Sequence, residues 1–101
     1  MKGNNEIILD FSLVDVLEKA FQKGVDFVDI RVCGDGQVRA IFWKSGQDEL
    51  FGEFPTESRK EIFLAIEEKI QFGGKKKSKN FTHNGKRLKA FKNFDEFLFY
   101  F

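Results

Sequence analysis

Among the 101 residues, His83 is the only histidine and Cys33 the only cysteine, so a base-assisted nucleophile would have to be built from side chains far apart in the chain. Nucleophilic catalysis needs the base within hydrogen-bond reach of the nucleophile. His83 precedes Asn84-Gly85 and reads as a hairpin-strand residue with its ring partly exposed. Cys33 falls at a strand end and reads as a small packing residue. A metal needs several convergent ligands, which one His and one Cys do not supply, so neither a metal nor a cofactor is expected. Asp26, Asp29 and Asp35 are close in sequence, but Asp35 suits a turn and the others read as solvent-facing strand positions. Paired-carboxylate catalysis is therefore not expected.

Gly34-Asp35-Gly36 joins two apolar runs and opens no helix whose amides could hold a phosphate. Gly74-Lys75-Lys76 lacks the hydroxyl and the spacing of a nucleotide-binding loop. The chain is expected not to be an enzyme. One local charge cluster remains: Lys75, Lys76, Lys77 and Lys79, followed by Lys86, Arg87, Lys89 and Lys92, with Phe81 and Phe91 beside them. A basic groove with aromatic platforms holds single-stranded nucleic acid, at about 1–3 kcal/mol per stacked base. The ordinary alternative is a solvated loop that favours a helix C-terminus and keeps a Phe-rich chain soluble. Seventeen basic against 16 acidic residues give a formal charge of +1, so the whole-protein field announces no nucleic-acid or membrane partner.

The elements that must position these residues follow from periodicity. Leu13, Val16, Leu17, Ala20 and Phe21 recur at helical spacing between Ser12, an N-cap, and Gly24, a stop. Three apolar runs come next, Val25 to Cys33, Gln37 to Trp43 and Glu49 to Phe54. They are separated by Gly34-Asp35-Gly36 and Ser45-Gly46-Gln47-Asp48, and they predict a three-stranded antiparallel meander. Pro55-Thr56-Glu57-Ser58 reads as a second helix start with Thr56 as cap. Ile62, Phe63, Ala65, Ile66 and Ile70 form its buried stripe, and Gly73-Gly74 its end. Asn84-Gly85 predicts a type I′ turn in a C-terminal hairpin, and Glu96 to Phe101 reads as strand in preference to helix. Glu6 to Phe11 reads as a short edge strand. The expected fold is α+β: an antiparallel sheet, three-stranded meander plus C-terminal hairpin, packed with two helices in a single domain spanning residues 1–101, with no internal repeat.

Alternation assigns faces. Val28, Ile30 and Val32, with Val38, Ala40 and Phe42, point to a core; Asp29, Arg31 and Cys33, with Arg39, Ile41 and Trp43, point the other way. Ile41 and Trp43 would be poorly placed in water, so that face needs a cover. The C-terminal aromatics, a second subunit or a larger protein would serve. The candidate partner-binding residues are Asp29, Arg31, Arg39, Ile41 and Trp43. The lone cysteine excludes an intrachain disulfide, and no apolar run approaches the roughly 20 residues of a membrane span, so a cytoplasmic chain without membrane insertion is expected.

A helix, Gly24, Val28-Asp29-Ile30-Arg31-Val32, Gly36-Gln37-Val38-Arg39, Gly46, a Pro55-led helix and Asn84-Gly85-Lys86 occur in that order. The arrangement resembles the N-terminal domain that precedes the motor in type II secretion and type IV pilus ATPases. Asp29-Ile30 correspond to that family's Asp-Ile, Val38-Arg39 to its Val-Arg, and Ser45-Gly46 to its Asp-Gly; Arg31 stands where His is usual, and Ala40-Ile41 where a second Arg is expected. The resemblance implies a PAS-like α+β domain that packs on a motor domain, with arginines that help close a nucleotide site. Arg39 alone would carry that role, and without a motor the chain would act in trans, as an adaptor or regulator. The simpler expectation for Arg39 is a surface residue paired with Asp29 across the sheet.

Overall fold

The computed structural model describes residues 11–72 and 77–101. Helix α1 spans Leu13–Lys23. Extended Ser12 accepts a hydrogen bond at Oγ from the Asp15 amide (3.2 Å), and Gly24, at φ 66°, donates its amide back to the last turn. Both ends thus satisfy backbone groups that a helix leaves orphaned. Its stripe of Leu13, Val16, Leu17 and Ala20 is buried.

Strands β1 (Phe27–Val32), β2 (Val38–Lys44) and β3 (Gln47–Phe54) form the expected meander, β1 and β2 starting later than expected and β3 two residues earlier. The second turn is tighter than the four residues expected. Ser45 and Gly46 alone make it, at φ 53° and 79°, the left-handed pair of a type I′ hairpin. Pro55 then leads a 3-10 turn over Thr56–Ser58, closed by the Ser58 amide on the Pro55 carbonyl (2.9 Å), and helix α2 spans Arg59–Ile70. Thr56 is therefore not its cap. Ile62, Ile66 and Ile70 are buried and Phe63 half-buried, whereas Ala65 lies on the exposed side. The helix ends at Gln71, φ 58°. The stop expected at Gly73-Gly74 lies outside the described residues, as does the edge strand expected at Glu6 to Phe11 except for Phe11, which is not in a strand.

The expected C-terminal hairpin is present, and the expected last strand extends it into a second meander: β4 (Ser78–His83), β5 (Lys86–Asn93) and β6 (Glu96–Tyr100), with Asn84-Gly85 turning the first pair at φ 51° and 77°. Helix then three strands occurs twice, an order that no sequence repeat announces. The six strands form one antiparallel sheet ordered β3-β2-β1-β6-β5-β4, so the first strand of one half pairs with the last strand of the other. The tail does not cover the meander; it extends it.

Both helices share one core with one side of this sheet. Val28 and Ile30 of β1, Val38, Ala40 and Phe42 of β2, Leu88 and Ala90 of β5, and Phe97 and Phe99 of β6 are buried there with the α1 and α2 stripes. The Phe97 ring meets Phe63 of α2 edge-on at 5.0 Å. Each fully buried Val, Leu, Ile or Phe among them contributes about 1.5–3 kcal/mol by leaving water. A register shift in β3 opposite Ala40 and Ile41 inserts one residue, and Phe51 stacks on core Phe42 at 4.9 Å while Leu50 stays opposite Ile41 on the other side.

Candidate functional site

Strand register arranges the helix-free side of the sheet in three rows. The first runs Asp48, Trp43, Phe27, Tyr100, Lys89 and Asn80 from β3 to β4; the second runs Leu50, Ile41, Asp29, Leu98, Phe91 and Ser78. The third holds Glu53, Arg39, Arg31, Glu96 and Asn93. Apolar side chains thus fill most of the first two rows, with Asp29 in the middle of the second, and charged side chains fill most of the third. Leu50 is 54% exposed and Tyr100 40%.

Phe27 stacks on Trp43 at 5.7 Å and 9°, and on Tyr100 at 5.1 Å and 26°. Those spacings are close to the distance of about 4.8 Å between neighbouring strands, so the three rings stand side by side on adjacent strands, face against face. Phe91 meets Tyr100 edge-on at 5.4 Å, with the Lys89 ammonium 5.3 Å from its centroid. The Phe27 faces are occupied by its neighbours. What the row offers outward is mainly a ridge of ring edges, which suits an apolar protein surface better than a flat base.

All five residues chosen from sequence, Asp29, Arg31, Arg39, Ile41 and Trp43, lie on this side, but their pairing differs from expectation. Arg39 is not paired with Asp29, whose β2 partner is Ile41. Its guanidinium bridges Asp35 (2.7 Å) and Glu53 (2.5 Å), which raises its pKa, and the bond from Arg39, with the Gln37 amide, holds Asp35 below the usual carboxylate range. Nor is Asp29 solvent-facing: it is 4% exposed, and Oδ1 finds no hydrogen-bond partner among the described residues. β6 on one flank and β2 on the other enclose it, and no alternation pattern within β1 could announce that. Burial first, then the Glu96 carboxyl beside it, push Asp29 up to about 7, against a smaller pull from Arg31 at 3.6 Å. Trp43 Nε1 is likewise buried without a partner among the described residues.

Comparison with protein-family models and with curated proteins gave no match. The geometry alone therefore carries the reading. Sequence reasoning missed Phe27, Phe91, Leu98, Tyr100 and Glu96 as members of the face. The alternation of residues 96–101 contained part of the signal, since a strand that buries Phe97 and Phe99 must turn Leu98 and Tyr100 outward.

Among the described residues the basic strip is not brought together. Lys75 and Lys76 lie outside the described residues. Lys79 is in β4 and not in a loop, with Nζ on the Gln71 carbonyl (2.9 Å). Lys86 sits over Phe21 of α1 and Lys92 pairs with Glu67 of α2 at 2.6 Å, both on the helix side, whereas Arg87 and Lys89 project from the opposite side. Lys77 is exposed before β4.

His83 is not partly exposed but buried: its ring stacks near Phe21 at 6.2 Å, and Nε2 lies 3.6 Å from the Glu18 carboxylate. Asn84 donates to the same carboxylate, so this group fastens the β4–β5 turn to α1. Cys33 follows β1, partly buried, its amide on the Gln37 carbonyl at 2.9 Å. A cavity of about 580 Å³ beside the β2–β3 turn is lined by Lys23, Phe42, Lys44 and Glu49. Its lysines are engaged, Lys44 with the Lys23 carbonyl and Lys23 with Glu49. Among the described residues no three His, Cys, Asp or Glu side chains converge as metal ligands, and no helix is long and apolar enough to cross a membrane.

Proposed function

We propose that this chain is a noncatalytic protein-interaction domain that docks through the helix-free side of its sheet. The observation that carries the reading is the row Trp43, Phe27, Tyr100, with Phe91 beside it: partly exposed apolar rings on a side that neither helix covers. Interface energy concentrates in buried aromatic and Arg anchors, which this row is composed to supply. The stacked rings favour protein over nucleic acid because Phe27 has no free face on which a base could lie. The split of the basic side chains between two sides points the same way.

Similarity to the N-terminal domain of secretion and pilus ATPases is compatible with such a role, as an adaptor acting in trans. Arg39 would then have to leave Asp35 and Glu53 to reach a nucleotide, so we assign it to holding the β1–β2 turn against β3.

The test places a photo-crosslinking amino acid at Tyr100, on the face, or at Leu64, exposed on α2, in the native cells. The expected result is protein adducts from position 100 and few from 64. Nuclease-sensitive adducts, or none, would overturn the docking reading.

A further inference from the structure

The helix-free face has a composition that is complementary to itself. A two-fold axis parallel to the strands, passing between β1 and β6, exchanges β3 with β4, β2 with β5 and β1 with β6 while keeping each row at its own height, as the strand order requires. Applied to the rows, it sets Trp43 opposite Lys89 of the second copy, Phe27 opposite Tyr100, Ile41 opposite Phe91, and Arg31 opposite Glu96. These four meetings are favourable: a cation over an indole, ring on ring, aliphatic on aromatic, and a guanidinium facing a carboxylate; the central pair of the second row sets Asp29 opposite Leu98 and gains nothing. The perpendicular axis does worse, because it lays each strand on its own copy and sets the Asp29 carboxyl against Asp29 of the second copy. On the outer strands Asp48 would meet Asn80 and Leu50 would meet Ser78, so among the described residues no like charges are forced together.

On this basis we infer that the face closes on a second copy of this chain, sheet on sheet, about a two-fold axis parallel to the strands between β1 and β6. The inference rests on the docking reading and names its partner. A closed two-fold contact of this kind is isologous, each residue pair occurring twice. Six strands spaced by about 4.8 Å make a face roughly 24 Å wide, smaller than the ~800 Å² per partner of a standard stable interface would need if the three rows alone were buried. The dimer is accordingly a dissociable one, whose population follows protein concentration.

Sedimentation of the purified chain over a concentration series, joined to site-directed cross-linking, tests this. In a Cys33→Ser background, Ile41→Cys and Phe91→Cys proteins are mixed and treated with a short bismaleimide. The two-fold axis puts these positions opposite each other between copies, but separates two Ile41 positions by about three strands, roughly 14 Å. The expected result is a reversible dimer in sedimentation and a covalent dimer formed several-fold better by the mixture than by either protein alone. Native protein that stays monomeric at high concentration, or cross-linking of the Ile41→Cys protein to itself as efficient as in the mixture, would overturn the inference. Protein adducts from Tyr100 with a monomeric chain would remove self-pairing and leave the docking reading standing; absent adducts would remove the docking reading itself.

Discussion

Asp29 and Glu96 bring two carboxyl groups together across the seam where β1 meets β6, and the counter-charge beside them is a single guanidinium, Arg31, 3.6 Å from Asp29. Arg39, the other arginine of the third row, is held by Asp35 and Glu53. Two carboxylates so placed do not ionise independently, and the buried one keeps its proton longer.

That arrangement makes stability depend on pH in a defined direction. The Asp29 pKa stands at about 7 in the folded chain against 3.8 as a free side chain, so the folded state binds the proton more tightly. Stabilisation from this group is complete below about pH 4, falls as pH rises through the interval to 7, and is then lost. Asp29→Asn imitates the protonated form. It should flatten the pH dependence and stabilise the protein at pH 8 by on the order of 2 kcal/mol, with little change at pH 4. Urea unfolding of both proteins at the two pH values checks this.

Phe97 is fully buried between Phe63 and Phe72, near the joint of the two half-sheets. Phe97→Ala should cost about 3–5 kcal/mol, a large fraction of the stability of a small domain. Phe94, in the β5–β6 turn, is 88% exposed, and Phe94→Ser should change the unfolding free energy by no more than about 0.5 kcal/mol. Thermal unfolding followed by circular dichroism separates the two.

The ends of α1 set a smaller scale. Ser12→Ala removes the acceptor for the Asp15 amide and should cost about 1 kcal/mol. Gly24→Ala forces a side chain into the left-handed region at φ 66° and should cost a similar amount, about 1 kcal/mol. Chemical denaturation resolves both.

Trp43→Ala should preserve the fold, losing about 0.5–1.5 kcal/mol of ring stacking with Phe27, because the indole lies outside the helix-covered core. It should remove the photo-adducts at Tyr100 at the same time. Unfolding of this variant at room temperature would mean that the ring is core and the face is not a docking surface.

Native protein should show no measurable binding to single- or double-stranded DNA or RNA near physiological salt. Replacing Lys75, Lys76, Lys77 and Lys79 with Gln should therefore change nothing in a salt titration. Micromolar affinity that weakens with salt, with a slope of about −0.7 per contacted phosphate on single strands and a flatter slope in the variant, would favour the nucleic-acid reading.

Local chemistry was legible in the chain, and long-range enclosure was not. Ser12, Gly24, Asn84-Gly85 and the alternation around Val28 and Phe42 act over a few residues, so α1, the Asn84-Gly85 turn and the core side of the first meander can be read directly. The solvent-facing reading of Asp29 and the partly exposed reading of His83 fail because each is buried by an element distant in sequence: β6 beside Asp29, and α1 over His83. The start of α2 was misread for a different reason. Pro55 suits a tight 3-10 turn as well as the first turn of a helix, and nothing local distinguishes them. For the candidate site, parity within β1 and β2 identified five residues, while the neighbours that complete the row belong to strands that only the sheet order brings alongside.

The strand order β3-β2-β1-β6-β5-β4 has a consequence for how the chain comes to be folded. Each meander closes through short loops, but the β1–β6 ladder joins residues 27–31 to residues 96–100. During synthesis the first half is complete while the inner edge of β1, with its unpaired amides and carbonyls, still waits for the last strand to be made. At about 5–20 residues per second that wait lasts several seconds. Throughout it, the strand that will sit at the centre of the sheet is an edge, open to the wrong neighbour and to another nascent chain. The seam that unites the two halves is thus also the interval of greatest vulnerability in the life of the molecule.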